Sequence, residues 1–148
     1  MKIYVDADAC PVKEIIIQVA IPKNILVYLV KSYAHFSTHP DPEGVISIYV
    51  DSEREAVDYR ILSMLRAGDL VITQDYGLAS LALEKKAFAL HHKGLIYTAD
   101  NIDYLLEVRY QHAQARKKKI RTKGPKRLTQ EDKDKFKATL IGILTNFQ

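Results

Sequence analysis

A short β-prone run leads directly into two aspartates near the start of the chain, and this feature most restricts the possible folds. Residues 3–5 are Ile, Tyr and Val, Asp6 and Asp8 follow at once, and Pro11 stands where a helix would begin. This order is typical of a buried strand that turns into a helix. The two carboxylates repel each other unless a cation, a shared proton or helix N–H groups compensate them. From these residues alone, helix capping and metal binding explain the pair equally well.

Strand and helix patterns follow one another along the rest of the chain. The strand runs are continuously apolar, as in parallel strands covered on both faces. Predicted strands cover residues 3–5, 25–30, 45–50, 70–73 and 87–90. Predicted helices start at Pro11, at Asp51 with Ser52, at Leu78, at Thr98 or Asp100, and after a capping box of Thr129 and Asp132. We therefore expect one domain over residues 1–148, a three-layer α/β/α sandwich with a mainly parallel sheet of about five strands and a C-terminal helix over 130–147.

Charge is distributed unevenly along the chain. Residues 1–108 contain ten Lys or Arg against fifteen Asp or Glu, whereas residues 109–127 contain nine basic residues and no acidic one. An acidic body with a basic segment is expected when a cation site and a polyanion share a surface, and a solvated helix end is the simpler alternative. We call this segment the basic strip, and its side chains are candidate nucleic-acid contacts. They are Arg109, Arg116, Lys117, Lys118, Lys119, Arg121, Lys123, Lys126 and Arg127.

The cysteine and histidine residues indicate the cellular compartment of the protein and restrict the side chains available to a functional site. Cys10 is the only cysteine, which excludes an intrachain disulfide and a thiolate metal cage and suits a reducing environment. No signal-like start and no run of eighteen apolar residues occurs, so we expect a cytoplasmic protein without a membrane span. His35 and His39 are interpreted as exposed loop residues. His91 and His92 follow a strand, and neighbours in an extended chain point to opposite faces, so at most one of them would face a site.

Acidic residues follow three of the predicted strands. Asp6 and Asp8 follow the first strand, Asp75 follows the strand over 70–73, and Asp58 lies in the second turn of the intervening helix, with Glu55 one turn before it. Because the carboxyl ends of parallel strands meet at one edge of a sheet, we expect these side chains to converge. Carboxylates without thiolate or imidazole suit Mg²⁺ or Mn²⁺ rather than zinc. The four aspartates are therefore the predicted metal ligands and catalytic residues.

Three further residues are candidates for a supporting shell around the metal: Glu55, Thr73, which precedes the Asp75 turn, and Asn101, which follows the last predicted strand. A metal at such a site hydrolyses phosphodiesters by activating water and neutralising phosphate charge. The basic strip would then hold the polyanionic backbone. The sequence thus predicts a Mg²⁺- or Mn²⁺-dependent nuclease whose partner is nucleic acid, with RNA preferred.

Four segments of the chain resemble the YaiI/YqxD family, an uncharacterised bacterial group also called UPF0178 or DUF188 and regarded as PIN-like. The segments are IYVDADACP at 3–11, EAVDYRI at 55–61, GDLVITQD at 68–75 and GP at 124–125. The resemblance implies a PIN-like α/β/α fold whose nuclease members bind Mg²⁺ or Mn²⁺ through acidic residues at these strand ends. By position, it implies that role for Asp6, Asp8, Asp58 and Asp75. The family's second motif usually starts with aspartate, and Glu55 stands there in this chain.

Two other functions remain open at this stage. A strand followed by Asp6 and Asp8 also resembles the nucleophile motif of haloacid-dehalogenase-like phosphatases, in which Asp6 would attack phosphate and Asp8 would act as acid and base. That class also needs a phosphate-binding lysine, which the later strand ends do not supply. The other alternative is a nucleic-acid-binding or regulatory protein without catalysis, which the basic strip supports equally well. Tyr97, Tyr104 and Tyr110 flank the strip and could stack on bases, with core packing as the simpler interpretation.

Overall fold

Six strands and five helices make up the part of the chain described by the computed structural model, residues 1–53, 55–118 and 127–146. The strands are β1 (Ile3–Asp6), β2 (Val27–Ser32), β3 (Val45–Val50), β4 (Leu70–Ile72), β5 (Phe88–Leu90) and β6 (Ile96–Tyr97). The helices are α1 (Lys13–Ala20), α2 (Ala56–Met64), α3 (Tyr76–Glu84), α4 (Ala99–Lys117) and α5 (Gln130–Asn146). Short 3-10 turns cover Ala7–Ala9, Ile21–Lys23 and Tyr33–His35.

The strands form a single sheet in the order β3-β2-β1-β4-β5-β6. All neighbouring pairs are parallel except β5 and β6, which pair antiparallel. The expected mainly parallel sheet is confirmed, but the expectation of about five strands was one short. β6 is two residues long, too short for any periodicity to reveal it. A turn at Gly94, whose φ of +90° favours glycine, returns the chain from β5 to β6.

Both faces of the sheet are covered by helices, which confirms the three-layer α/β/α arrangement. Successive strand residues point to opposite faces, so Ile3 and Val5 belong to one core and Tyr4 to the other. The first core lies against α1 and α5, and it includes the fully buried Phe136 and Leu140 of α5. The second core lies against α2, α3 and α4. Two-sided burial is why the strand sequences are continuously apolar rather than alternating.

The order of strands creates a crevice between β1 and β4. From β1 the chain crosses through α1 to β2 and β3 on one side, and from β3 it crosses through α2 to β4 on the other side. The loops that leave the carboxyl ends of β1 and β4 therefore diverge. Open α/β sheets bind their ligands at such a reversal of strand order.

Three helices begin at positions other than those expected. α1 begins at Lys13, two residues after the expected Pro11. α2 begins at Ala56, not at Asp51 and Ser52, because Glu55 before it has a left-handed φ of +69° that helical backbone does not adopt. This shift moves Asp58 from the expected second turn into the first turn of α2. α3 begins at Tyr76, two residues before the expected Leu78.

The caps of the last two helices agree with the sequence patterns. Thr98, rather than Asp100, is the N-cap of α4. At the start of α5, the Asp132 amide donates to Thr129 Oγ1 at 3.0 Å and the Thr129 amide donates to Asp132 Oδ2 at 3.0 Å, so the predicted capping box is confirmed. Residue 147 of the expected last helix lies outside the described residues. Within the described ranges, no helix has both the length and the apolar character that a membrane crossing requires.

Candidate functional site

Asp6 and Thr73 join the carboxyl ends of the two central strands. β1 and β4 pair in parallel with Val5 opposite Ile72, so the residues that follow these two positions are neighbours. The Thr73 hydroxyl donates to Asp6 Oδ2 at 2.9 Å, and Thr73 is almost completely buried. Burial raises the pKa of Asp6, the Thr73 hydrogen bond opposes that rise, and the charges of Asp75 and Asp8 add to it. Asp6 is therefore a carboxylate held at a site with excess negative charge.

Asp8 is held by the neighbouring strand instead of capping a helix. The backbone amide of Ser32, the last residue of β2, donates to both Asp8 oxygens at 3.1 and 3.2 Å. Nδ1 of His35 lies 2.9 Å from Asp8 Oδ1. α1 starts only at Lys13, with Val12 as its N-cap. For Asp8, the capping interpretation is thus replaced by a contact that fixes the carboxylate at the sheet edge.

Asp75 caps a helix and also lies near the positively charged side chain of Arg109. It is the N-cap of α3, and its Oδ1 accepts hydrogen bonds from the amides of Gly77 at 2.8 Å and Leu78 at 3.2 Å. Its own amide donates to Thr73 Oγ1 at 2.9 Å. The Arg109 guanidinium lies 3.9 Å from the same Oδ1. The Asp75 carboxylate is therefore fixed between the first turn of α3 and Arg109.

Asp58 carries the most perturbed carboxyl group of the four aspartates. The pKa of Asp58 is raised from its ordinary value of 3.8 to about 7, first by burial, then by the charges of Asp75 and Asp6, by a hydrogen bond to Asp75 and by the charge of Glu55. A carboxyl group with this pKa holds its proton over the acidic pH range. Perturbations of this size in a cleft are typical of functional sites.

The four aspartates line one open cavity of about 330 Å³ at the carboxyl edge of the sheet, which we call the carboxylate cleft. Its lining is mainly polar, and Arg109 is the only Lys or Arg among the described residues that line it. The lining residues are Asp6, Asp8, Ser32, Ser52, Glu53, Glu55, Val57, Asp58, Asp75 and Arg109. The structure thus brings together the aspartates that the sequence places after different strands.

The donor chemistry of the cleft suits a hard divalent cation. Its carboxylate oxygens carry uncompensated repulsion, which a cation such as Mg²⁺ or Mn²⁺ would relieve. Among the described side chains, however, no three His, Cys, Asp or Glu are arranged around a common point as metal ligands. Asp6, Asp8 and Asp75 are each held by hydrogen bonds from the protein, and a carboxylate has lone pairs for about four contacts. The residues fit the metal through their chemistry and charge rather than as a closed cage.

The supporting residues expected from the sequence have different positions. Thr73 contacts Asp6, and Glu55 lines the carboxylate cleft. The Asn101 side chain instead completes the capping box of α4. It accepts a hydrogen bond from the Thr98 amide at 2.9 Å and donates to the Ile96 carbonyl at 2.8 Å. These bonds use the Asn101 amide to hold β6 to α4, and Asn101 is not among the residues that line the cleft.

Only one residue of the basic strip reaches the carboxylate cleft in the described part of the chain. Arg109 lies at the cleft, whereas Arg116, Lys117, Lys118 and Arg127 are exposed and are not among its lining residues. Lys119, Arg121, Lys123 and Lys126 lie outside the described residues, as does the Gly124-Pro125 motif. The structure therefore gives Arg109 a position distinct from that of the other described members of the basic strip.

His35 and His39 are exposed, as expected, whereas His91 and His92 do not have the expected geometry. His35 lies at Asp8 because the 3-10 turn of residues 33–35 directly follows β2. The rings of His91 and His92 do not point to opposite faces, since their centroids are 4.3 Å apart. β5 ends at Leu90, and a turn closed by the Gly94 amide and the His91 carbonyl follows, so His92 lies in a turn rather than in an extended strand. Burial lowers the pKa of His91 to about 4.

Comparison with known proteins identifies the family. Residues 4–146 match the model of the family described as uncharacterised YaiI/YqxD, DUF188. The chain belongs to the YaiI/YqxD family. It is similar to a UPF0178 protein of Bacillus cereus, at 56% identity over 144 residues, 97% of this chain and 99% of the relative. A UPF0178 protein of Oceanobacillus iheyensis is 54% identical over 145 residues, 98% of this chain and 99% of the relative. No solved structure matches the chain.

Membership in the YaiI/YqxD family confirms the resemblance seen in the sequence motifs. The description of the family names no activity. The relatives match over nearly their whole length, so the carboxylate cleft lies within the part of the chain that these proteins share. Conclusions about function depend on the chemistry of that cleft.

Proposed function

We propose that this chain is a Mg²⁺- or Mn²⁺-dependent nuclease that hydrolyses phosphodiester bonds of RNA in the carboxylate cleft. The observation that carries the proposal is the convergence of Asp6, Asp8, Asp58 and Asp75, from three separate segments, on one cavity that also contains Arg109. Burial, together with the charges of neighbouring carboxylates, raises the pKa of both Asp6 and Asp58. A divalent cation bound among these carboxylates would offset their mutual repulsion.

The four aspartates would hold the metal, directly or through water. A bound Mg²⁺ or Mn²⁺ supplies an activated water and neutralises charge on the phosphate. The protein's own contribution is to hold the carboxylates in place. Thr73 stabilises ionised Asp6, the amides at the start of α3 fix Asp75, and the Ser32 amide fixes Asp8.

Arg109 supplies the positive charge that an anionic substrate needs at a negatively charged cleft. Its guanidinium is about half-exposed and lies 3.9 Å from Asp75, so it is anchored at one side and open to the cleft on the other. A guanidinium binds phosphate oxygens through paired N–H donors. Arg109 would therefore hold the scissile or adjacent phosphate, and the exposed basic residues further along α4 would attract the rest of the backbone.

The residues that line the carboxylate cleft also bear on the two alternative functions. A haloacid-dehalogenase-like phosphatase would need a lysine at the phosphate, and the described lining of the cleft contains none. A nucleic-acid-binding protein without catalysis is favoured by one observation, the lack of a ready three-ligand arrangement among the described side chains. Experiment separates this second candidate from the nuclease.

The test combines metal binding and cleavage in the same samples. Mn²⁺ is titrated by calorimetry into the wild-type protein, Asp6→Asn and Asp103→Asn, and cleavage of single-stranded RNA is followed with each. Asp103 is an exposed aspartate of α4 that is not among the lining residues of the cleft, so it is the matched control. We expect saturable Mn²⁺ binding and Mn²⁺-dependent cleavage that are lost in Asp6→Asn and kept in Asp103→Asn.

Other outcomes redirect the function. RNA binding that survives chelation, with no cleavage by the wild-type protein, establishes the non-catalytic nucleic-acid-binding protein. A beryllofluoride or phosphoaspartate adduct on Asp6 establishes the phosphatase. Failure of the wild-type protein to bind Mn²⁺ overturns the metal site.

A further inference from the structure

A second cavity, lined by aromatic side chains, adjoins the carboxylate cleft. It has a volume of about 580 Å³ and lies where the carboxyl end of β3 meets α2. Its walls include Tyr33, Tyr49 and Tyr59, together with Arg60 and the acidic Asp51 and Glu53. We call it the tyrosine cavity. None of the three tyrosines belongs to either hydrophobic core of the sheet.

The aromatic rings of this region form a stacked array with an open end. The Tyr33 and Tyr49 rings are stacked, with centroids 5.9 Å apart and planes 20° apart. Phe36 contacts the Tyr49 ring at a centroid distance of 5.0 Å, and Lys31 Nζ lies 5.5 Å from the centroid of the same ring. Tyr49 is thus held by its neighbours, whereas Tyr33 is 57% exposed and Tyr59 is 70% exposed. Exposed, partly pre-ordered aromatic faces are stacking platforms for planar ligands.

The tyrosine cavity neighbours the proposed reaction site and shares a lining residue with it. Glu53 lines both the tyrosine cavity and the carboxylate cleft. Tyr59 lines the tyrosine cavity and also a smaller cavity of about 160 Å³ whose walls include Asp58 and Arg109. A ligand that extends from Arg109 past Asp58 therefore meets Tyr59 next. A planar group in the tyrosine cavity and a phosphate at Arg109 can belong to one molecule.

The charges at the walls decide which part of such a molecule enters. Asp51 and Glu53 repel a phosphate but accept hydrogen bonds from the amino and imino groups of a nucleobase. Arg60 supplies a donor for base carbonyls or ring nitrogens. The combination of aromatic faces, acceptors and one guanidinium fits a base rather than the sugar-phosphate backbone.

We propose that the tyrosine cavity binds an unpaired nucleobase next to the phosphate held at Arg109, stacked on Tyr33 and Tyr59. This inference rests on the proposed function, since it names the substrate class of the same cleft as single-stranded nucleic acid. A base in a duplex is already stacked on both faces and paired at its edge, so it cannot enter. Stacking on tyrosine accepts every base, so the cavity selects single strands rather than a sequence.

The test measures binding without cleavage. A fluorescein-labelled short oligoadenylate, single-stranded or annealed to its complement, is titrated in low-salt buffer with EDTA, and anisotropy reports the dissociation constant. Tyr33→Ala and Tyr59→Ala are compared with Tyr33→Phe and Tyr59→Phe, which keep the stacking face. Ile141→Ala is the control, because Ile141 is also an exposed large apolar residue, 40% exposed, but lies on α5 outside the tyrosine cavity. Circular dichroism shows that each variant is folded.

We expect the wild-type protein to prefer the single strand, and each alanine variant at the cavity to weaken single-strand binding roughly fivefold or more. The phenylalanine variants and Ile141→Ala should bind as the wild type does. The proposal is overturned if the wild-type protein binds neither form, if it binds the duplex equally well, or if the alanine variants at the cavity bind the single strand as tightly as the wild type.

This experiment and the cleavage assay fail independently. Absence of Mn²⁺-dependent cleavage with tyrosine-dependent binding removes the nuclease and leaves the base-binding cavity. Cleavage lost in Asp6→Asn, together with binding that ignores Tyr33 and Tyr59, leaves the nuclease and removes the cavity's role.

Discussion

The guanidinium of Arg109 lies 3.9 Å from Oδ1 of Asp75, although 34 residues separate them and they lie on different helices. Asp75 caps α3, and Arg109 projects from the middle of α4, so the pair exists because these two helices pack side by side. The contact places one cation inside a cleft that otherwise carries only carboxylates and neutral groups among its described lining residues. It therefore connects the acidic body of the protein with the start of the basic strip.

Replacing Arg109 tests whether this cation serves the substrate or the fold. Both side chains of the pair are partly exposed, and exposed ion pairs contribute at most about 1 kcal/mol to stability. A hydrogen bond to a charged group contributes about 1.5–3 kcal/mol, so Arg109→Gln should lower kcat/KM for RNA about ten- to a hundredfold. Single-turnover cleavage and urea unfolding of the same variant measure the two effects.

Arg66→Gln is the control for that experiment. Arg66 is an exposed arginine that precedes β4, at the opposite edge of the sheet from the carboxylate cleft. It should leave cleavage unchanged. A large loss of unfolding free energy in Arg109→Gln, with the remaining folded protein fully active, would show that the arginine is structural.

How much of the fold follows from the sequence depends on the range of the interactions that form each element. β3 covers Val45–Val50 as predicted, because its mainly apolar, β-branched run is bounded by Gly44 and Asp51. β6 contains two residues and exists only through pairing with β5. The predicted start of α2 was wrong. Asp51 and Ser52 are typical N-cap residues, but the left-handed backbone at Glu55, which sets the real start, has no local sequence signal.

The candidate site shows the same division between local and long-range information. Parallel strands have their carboxyl ends at one edge, and this rule alone placed the four aspartates together. Which strand lies beside β1 is a long-range property, so the contacts of Asp8 with Ser32 and His35 were not predictable. Asn101 was expected near the site from its position after the last predicted strand. A local interaction prevents this, because the side chain of Asn101 caps α4 instead.

Thr73 links two carboxylates, and its substitution should affect both stability and metal binding. The buried hydroxyl donates to Asp6 and accepts from the Asp75 amide. Thr73→Val keeps the shape but leaves both partners unsatisfied, at a cost of about 1–3 kcal/mol of unfolding free energy. The pKa of Asp6 should rise further, since the Thr73 hydrogen bond lowers it, and Mn²⁺ affinity at neutral pH should fall. Thr73→Ser keeps the hydroxyl and should retain the Mn²⁺ affinity of the wild-type protein. If Thr73→Val also bound Mn²⁺ as tightly as the wild type, the hydrogen bond from Thr73 to Asp6 would have no role in metal binding.

Two Asp-to-Asn substitutions should have opposite effects. Asp69 lies at the amino edge of the sheet, where its oxygens accept hydrogen bonds from the amides of Lys2 and Arg66, each at 3.0 Å. Asp69→Asn removes one charge-assisted acceptor and should lower the free energy of unfolding by about 1.5–3 kcal/mol without changing Mn²⁺ affinity. Asp58→Asn should raise stability at neutral pH and abolish Mn²⁺ binding. Chemical unfolding and calorimetry on both variants make the comparison, and Mn²⁺ binding that depends on Asp69 would contradict the assignment of the site.

The pH dependence of stability should identify Asp58 as the group that a metal must deprotonate. The pKa of Asp58 is raised from 3.8 to about 7 by burial first and by the charges of Asp75 and Asp6 next. Between about pH 4 and pH 7 the folded protein keeps a proton that the unfolded chain has lost, so its free energy of unfolding falls as pH rises through this window. Asp58→Asn lacks this contribution, and its metal-free stability should fall less steeply when urea unfolding is measured from pH 5 to pH 8.

Mn²⁺ competes with the proton on Asp58, so Mn²⁺ affinity should increase with pH up to about 7. Added Mn²⁺ should also restore the stability that ionisation of Asp58 removes. Parallel stability curves for the wild-type protein and Asp58→Asn would show that Asp58 ionises at its ordinary pKa, and a Mn²⁺ affinity independent of pH would separate Asp58 from the metal.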